Sequence, residues 1–139
     1  MSDAPTIMRA IADLLLDALS DIEDLQVEPS MMWNPTPPAI DMYPADPFFA
    51  DIAYGQVSEL SFVIRARVNT PDREGAQELL LSLMDPGSDT AVRTALFADQ
   101  QIGNTVQNSY CGPPSEWGFF TDPGGSALLG CTWLLTVQP

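Results

Sequence analysis

A chain of 139 residues has the length of one domain with a core of its own, and its composition (45% apolar, 17% charged, with three Trp, three Tyr and six Phe) excludes a disordered acidic tail. Nineteen Asp and Glu stand against five Arg, with no Lys and no His, so the net charge is −14. Five scattered arginines (Arg9, Arg65, Arg67, Arg73, Arg93) make no basic patch for phosphate, and without His there is no Ser-His-Asp or Cys-His nucleophile and no imidazole metal site.

The start, Met1-Ser2-Asp3-Ala4-Pro5, carries neither a positive n-region nor an apolar h-region, so no secretory signal is expected and cytosolic synthesis with reduced thiols follows. From Thr6 to Leu19, Ile7, Ile11, Leu14, Leu15 and Leu19 recur at helical spacing with Arg9, Asp13 and Asp17 between them, which predicts an amphipathic helix with Pro5 in its first turn. Asp21, Glu23 and Asp24 close it in an acidic turn, and Leu25-Gln26-Val27-Glu28 reads as a short alternating strand.

Residues 29–56 hold prolines at 29, 35, 37, 38, 44 and 47 among Met31, Met32, Trp33, Met42, Tyr43, Phe48, Phe49 and Tyr54, and read as a long Pro/aromatic-rich loop. Within it only Ala39-Ile40-Asp41-Met42 suggests a strand, short or at a sheet edge because proline removes ladder donors. Such a loop either serves a partner or folds back on its own core.

Val57 to Val68 is the clearest strand, with Leu60, Phe62, Ile64, Ala66 and Val68 on one face and Glu59, Ser61, Val63, Arg65 and Arg67 on the other. Asn69-Thr70-Pro71-Asp72 then starts a helix to about Met84 that buries Ala76, Leu79, Leu80 and Leu83. Asp85-Pro86-Gly87-Ser88 is a turn, and Ser88 or Asp89 caps a short helix through Val92, Ala95 and Leu96. A strand piece at Thr105–Asn108, a Gly/Pro break at 111–114 and a loop bearing Trp117, Phe119 and Phe120 follow. The last strand, Ala127 to Val137, is apolar on both faces, as suits a central strand or one with a partner subunit over one face.

These elements compose a single domain over 1–139 of the α+β class: a mixed or antiparallel sheet of about four to five strands, with the N-terminal helix and two further helices packed on one face. The uncharged stretch from Pro123 to Pro139 falls short of the ~20 apolar residues of a membrane span, so no membrane partner is expected. Asp13 with Asp17, and Glu74 with Glu78, lie one helical turn apart, as solvated faces normally do. Asp85–Asp89 lacks the spacing of a calcium loop, and no phosphate-binding glycine loop or nucleophile elbow is present. Cys111 and Cys131 fit pairing or free thiols, and read best as small buried hydrophobes. No catalytic, cofactor-binding or metal residue is assigned, and the pattern points away from an enzyme.

A family resemblance runs through the second half: Leu60-Ser61-Phe62-Val63-Ile64-Arg65-Ala66-Arg67-Val68, then Gln77-Glu78-Leu79-Leu80, then the stretch from Asp85 to Leu96, then Ile102-Gly103-Asn104-Thr105-Val106, and a closing apolar strand from Leu128 to Val137. In this order of elements the chain resembles the tail terminator (tail-completion) proteins of long-tailed double-stranded DNA phages, those of actinobacterial hosts in particular. The resemblance covers roughly residues 6–137 and is sharpest from 60 to 106. It implies a ring, usually of six copies, at the head-proximal end of the tail tube, which stops tube polymerisation and presents the joint to the head-neck connector. The implied partners are further copies of the chain, the tail tube protein and a head-tail stopper or connector; the implied place is the tail neck of the virion, after synthesis in the host cytoplasm. DNA would pass through without specific binding, and no cofactor is implied. Head-tail stoppers and connectors share this size and mixed α/β character and are the alternative, with other tail or baseplate adaptors.

A ring of this kind is physically reasonable. A compact chain of this length is roughly 37 Å across, and six such bodies in a cycle leave a hole about as wide as one of them, enough for a duplex. Six times −14 gives about −84 per ring, a lining that repels phosphate and also drives the subunits apart. Closure therefore needs apolar contact or charge pairing, for which the expected interface residues are Tyr43, Phe48, Phe49 and Tyr54, with Arg65 and Arg67 pairing to a neighbour's carboxylates. The alternative for these arginines is that they offset acids within their own subunit.

Overall fold

A computed structural model of the chain describes residues 3–33, 35–53, 55–68, 73–121, 125 and 127–139. Three helices and six strands follow one another as α1 (Ala4–Ala18), β1 (Gln26–Val27), β2 (Ala39–Ala53), β3 (Gln56–Val68), α2 (Arg73–Met84), α3 (Val92–Ala98), β4 (Asn108–Cys111), β5 (Ser115–Thr121) and β6 (Ala127–Gln138). The class is α+β, as the pattern predicts.

Helix α1 begins two residues before the predicted start because Asp3 caps it: its carboxylate accepts the Thr6 N–H at 3.0 Å, and Pro5 occupies the first turn, where a missing N–H costs nothing. Its buried stripe is Ile7, Ile11, Ala12 and Leu15, continued by Leu19. Helix α2 ends at Met84 as expected, while the predicted start at 69–72 lies outside the described residues. Helix α3 starts after Ala91 with no side-chain cap; the Ser88 hydroxyl instead takes the Thr90 N–H, and the Asp85 carboxylate closes its own turn on the Gly87 N–H at 2.9 Å.

The sheet is mixed. β1 runs parallel to β2, and every other pairing is antiparallel, in the order β1-β2-β3-β6, after which β4 and β5 share the far edge of β6. β3 and β6 are central; of the two faces of β6, Cys131, Trp133, Leu135 and Val137 lie in the core, while Leu134 on the other is half-exposed. Ile40 and Met42 of β2, Phe62, Ile64 and Ala66 of β3, and Cys131, Trp133 and Leu135 of β6 share the face that meets Ile7, Ile11, Leu15, Leu80, Leu83, Val92 and Leu96 of the helices in one core.

Three expectations need correction. The loop predicted over 29–56 is a strand from Ala39 to Ala53: β2 pairs with β3 along its length, and accommodates Pro44 and Pro47 by a register shift between Pro44 and Phe49 and by lying near the sheet edge. The predicted loop carrying Trp117, Phe119 and Phe120 is strand β5, and of the predicted piece at 105–108 only Asn108 is strand, the first residue of β4, after a turn at 105–107. With these the mixed sheet has six strands.

Candidate assembly surface

The alternation of β3 sends Ser61, Val63, Arg65 and Arg67 to the sheet face away from the helices, and the register sets Tyr43 opposite Val63 and Asp41 opposite Arg65. From β6 the same face receives Gly130, Thr132, Leu134 and Thr136. Opposite charges meet within it. Arg65 donates Nε and Nη2 to the two carboxylate oxygens of Asp41 at 3.0 and 2.6 Å, and Arg67 adds Nη2 to Asp41 Oδ2 at 3.2 Å.

Asp41 is 0% and Arg67 1% exposed, and the chain at Met32 lies against both. Met32 fastens that segment through its backbone: its N–H donates to Asp41 Oδ2 at 2.8 Å and its carbonyl accepts from Arg67 Nη2 at 3.2 Å. Met31 and Trp33 on either side are exposed. The Arg65 guanidinium also lies 5.3 Å from the centre of the Tyr43 ring and 5.8 Å from that of Phe120. Burial pushes the Tyr43 phenol up, against the pull of Arg65.

Both arginines therefore serve an acid of their own chain, which is the intrachain alternative weighed for them. Of the expected aromatic contacts, Phe48 turns inward and packs edge-on against Phe62 with centroids 5.5 Å apart, so it belongs to the core. Tyr43 is half-buried over Arg65, Phe49 is 52% exposed, and Tyr54 lies outside the described residues.

Beyond the ion cluster the face stays open. A cavity of about 420 Å³ is bounded by Tyr43, Val63, Ser115, Glu116, Thr132 and Leu134, with Leu134 half-exposed at its rim. The Thr132 hydroxyl donates to Glu116 Oε2 at 3.3 Å, which turns that carboxylate onto the sheet. Glu116 takes a left-handed backbone (φ 57°) at the bulge that separates Ser115 from Gly118 in the β5–β6 pairing.

Exposed aromatics cluster on the strands at this margin of the sheet: Tyr110 on β4, and Trp117 and Phe119 on β5, Phe119 being 70% exposed. Arg93 lies 5.0 and 5.6 Å from the centres of the Phe97 and Tyr110 rings, which meet edge-on, and its Nε donates to the Cys111 carbonyl at 2.9 Å and so ties α3 to β4. Sequence reasoning noted Trp117 and Phe119 and gave them no interface role; the β-favouring run Trp, Phe, Phe, Thr was the signal, masked by Gly118.

The other acids make no comparable site. Asp13 and Asp17 border an open groove with Asp99 between α1 and α3, and Glu74 and Glu78 line another beside Leu81. Among the described residues no group of three or more His, Cys, Asp or Glu side chains could hold a metal ion, and no helix is long and apolar enough to cross a membrane.

Cys111 and Cys131 are both free and buried, and burial pushes both thiols up to about 12 from an ordinary 9.0. Three units of pKa leave about a thousandfold less thiolate at pH 8, so iodoacetamide is expected to label the native protein far more slowly than the urea-unfolded chain, as peptide mass spectrometry would read. Because the folded values are the higher ones, the stability these thiols contribute is whole below pH ~9 and is lost as pH rises toward ~12. Replacing both by Ala is expected to flatten that alkaline decline.

No known protein family and no curated protein matches the sequence.

Proposed function

We propose that the chain is a structural protein whose work is self-assembly and which catalyses no reaction. Within that class we assign it as a phage tail terminator: a ring of about six copies at the head-proximal end of the tail tube, which stops tube growth and forms the joint to the neck. The observation that carries the reading is a sheet covered by helices on one face only, whose other face and margins expose Leu134, Tyr110, Trp117, Phe119 and Phe49 in a chain of charge −14. Large apolar side chains exposed on several strands serve contact with protein, while the acidity keeps the phosphate of a passing duplex from sticking.

Native mass spectrometry tests it. A ring of six 15.1 kDa subunits has a mass of about 91 kDa. Salt gives the sign of the electrostatics: raising ionic strength from ~10 to ~150 mM shortens the screening length from ~30 to ~8 Å, so sedimentation should show the ring favoured at the higher value. Electron microscopy of purified tail tubes incubated with the protein should find it at one end of each tube. A monomer at every concentration, or tubes left bare, would overturn the reading.

A further inference from the structure

The two margins of the sheet are unlike. On the β2 side, the edge past Ile40 carries Pro44 and Pro47, residues that cannot donate to a further strand and that commonly blunt an edge. On the other side, β5 has β6 as its one partner strand among the described residues, and its sequence Ser115-Glu116-Trp117-Gly118-Phe119-Phe120-Thr121 contains neither Pro nor Lys. Its one charge, Glu116, is turned onto the sheet by Thr132. Past the bulge at Ser115–Gly118 the edge has neither proline nor lysine and carries exposed Trp117 and Phe119 beside it, which makes it a template for another strand.

The chain also holds a strand ribbon that its own sheet does not support. β6 joins β3 only from Leu60 onward, so the ribbon formed by Ala50↔Glu59, Asp51↔Val57 and Ala53↔Gln56 is two-stranded. Two strands alone are marginal in water, and Phe49 at its base and Val57 within it are exposed. The ribbon brings Asp51 and Glu59, while β5 presents no charge from Trp117 to Thr121. These two surfaces can meet without opposing like charges, which matters for copies of a chain at −14.

We infer that the β2–β3 ribbon of one copy docks on the β5 edge of the next and continues its sheet. The contact is head-to-tail, since each copy offers a ribbon at one place and an edge at another; repeated, it closes into a ring when the rotation allows. The inference rests on the ring reading and names its interface.

Two variants isolate the halves. Trp117→Glu with Phe119→Glu sets charge on the edge opposite Asp51 and Glu59; Phe49→Glu with Val57→Glu spoils the ribbon. Leu16→Glu with Leu81→Glu adds the same charge at exposed helix positions and serves as control. With circular dichroism unchanged in all three, native mass spectrometry is expected to show the edge and ribbon variants reduced to the 15.1 kDa monomer and the control still assembled. Mixing the two monomeric variants should give a 1:1 dimer and nothing larger, because each retains the half the other lacks. Assembly of both variants like the natural chain would overturn this interface and leave the ring standing. Failure of the mixed variants to pair would overturn the head-to-tail arrangement. A natural chain that stays monomeric overturns the ring reading, and this inference with it. Should a variant misfold, milder Phe119→Ser and Val57→Ser versions are expected to weaken assembly in the same pairwise pattern.

Discussion

An Asp41→Asn protein is expected to unfold about 3–5 kcal/mol more easily than the natural chain, because removal of one partner leaves a buried charge uncompensated. Asp41 receives both Arg65 and Arg67, and Arg67 is only 1% exposed. Against a total stability of ~5–15 kcal/mol such a loss is large, and it should appear in urea titration as a lower midpoint and in a thermal melt as a fall of ~10–20 °C. Arg65→Met is expected to cost less, since the Asp41–Arg67 pair survives it. The double change Asp41→Leu with Arg67→Met should recover only the part of the loss that Arg67 causes, because Arg65 and the Met32 N–H still lose their carboxylate acceptor. If Asp41→Asn melts like the natural chain, the cluster does not hold the sheet face. The Arg65→Glu, Arg67→Glu pair, which sequence reasoning alone would choose to probe the ring interface, would set three carboxyl groups together and report on folding instead.

The second large effect lies at Gly130. A Cβ there would press on the carbonyl oxygen of Ala66 in the neighbouring strand and stand 3.0 and 3.1 Å from two Phe120 ring carbons. The ring can shift a little, but the strand carbonyl cannot move without breaking the β3–β6 ladder, so Gly130→Val is expected to cost at least the ~1–3 kcal/mol typical of overpacking. Hydrogen exchange should speed up at Arg67 and its ladder neighbours in particular. Gly112→Ala is the control: its Cβ would meet the Leu134 carbonyl at 3.5 Å, an ordinary contact, and the melt should barely change.

Periodicity made α1, α2, β3 and β6 legible, because each buries one consistent face. β2 was hidden for a physical reason: Pro44 and Pro47 contradict a strand locally, and only the register shift and the near-edge position let them remain in one. β5 was hidden by Gly118 and by its bulge. The alternation of β3 put Arg65 and Arg67 on one face correctly, yet nothing local marks Asp41 as their partner. It stands 24 and 26 residues away, and only the pairing of β2 with β3 brings it across. The same pairing drew Phe48 inward while Phe49 stayed outside, a distinction that a run of two identical residues does not carry.

The fastening of residues 29–33 has a consequence for how this surface can change over generations. Met32 is held through its N–H and its carbonyl, groups that every residue but proline possesses, and the groups that hold it are buried side chains of the sheet. The position is thus fixed by atoms that substitution leaves intact, while the neighbouring side chains of Met31 and Trp33 face solvent. What is displayed there can drift with whatever it meets, at no expense to the fold beneath.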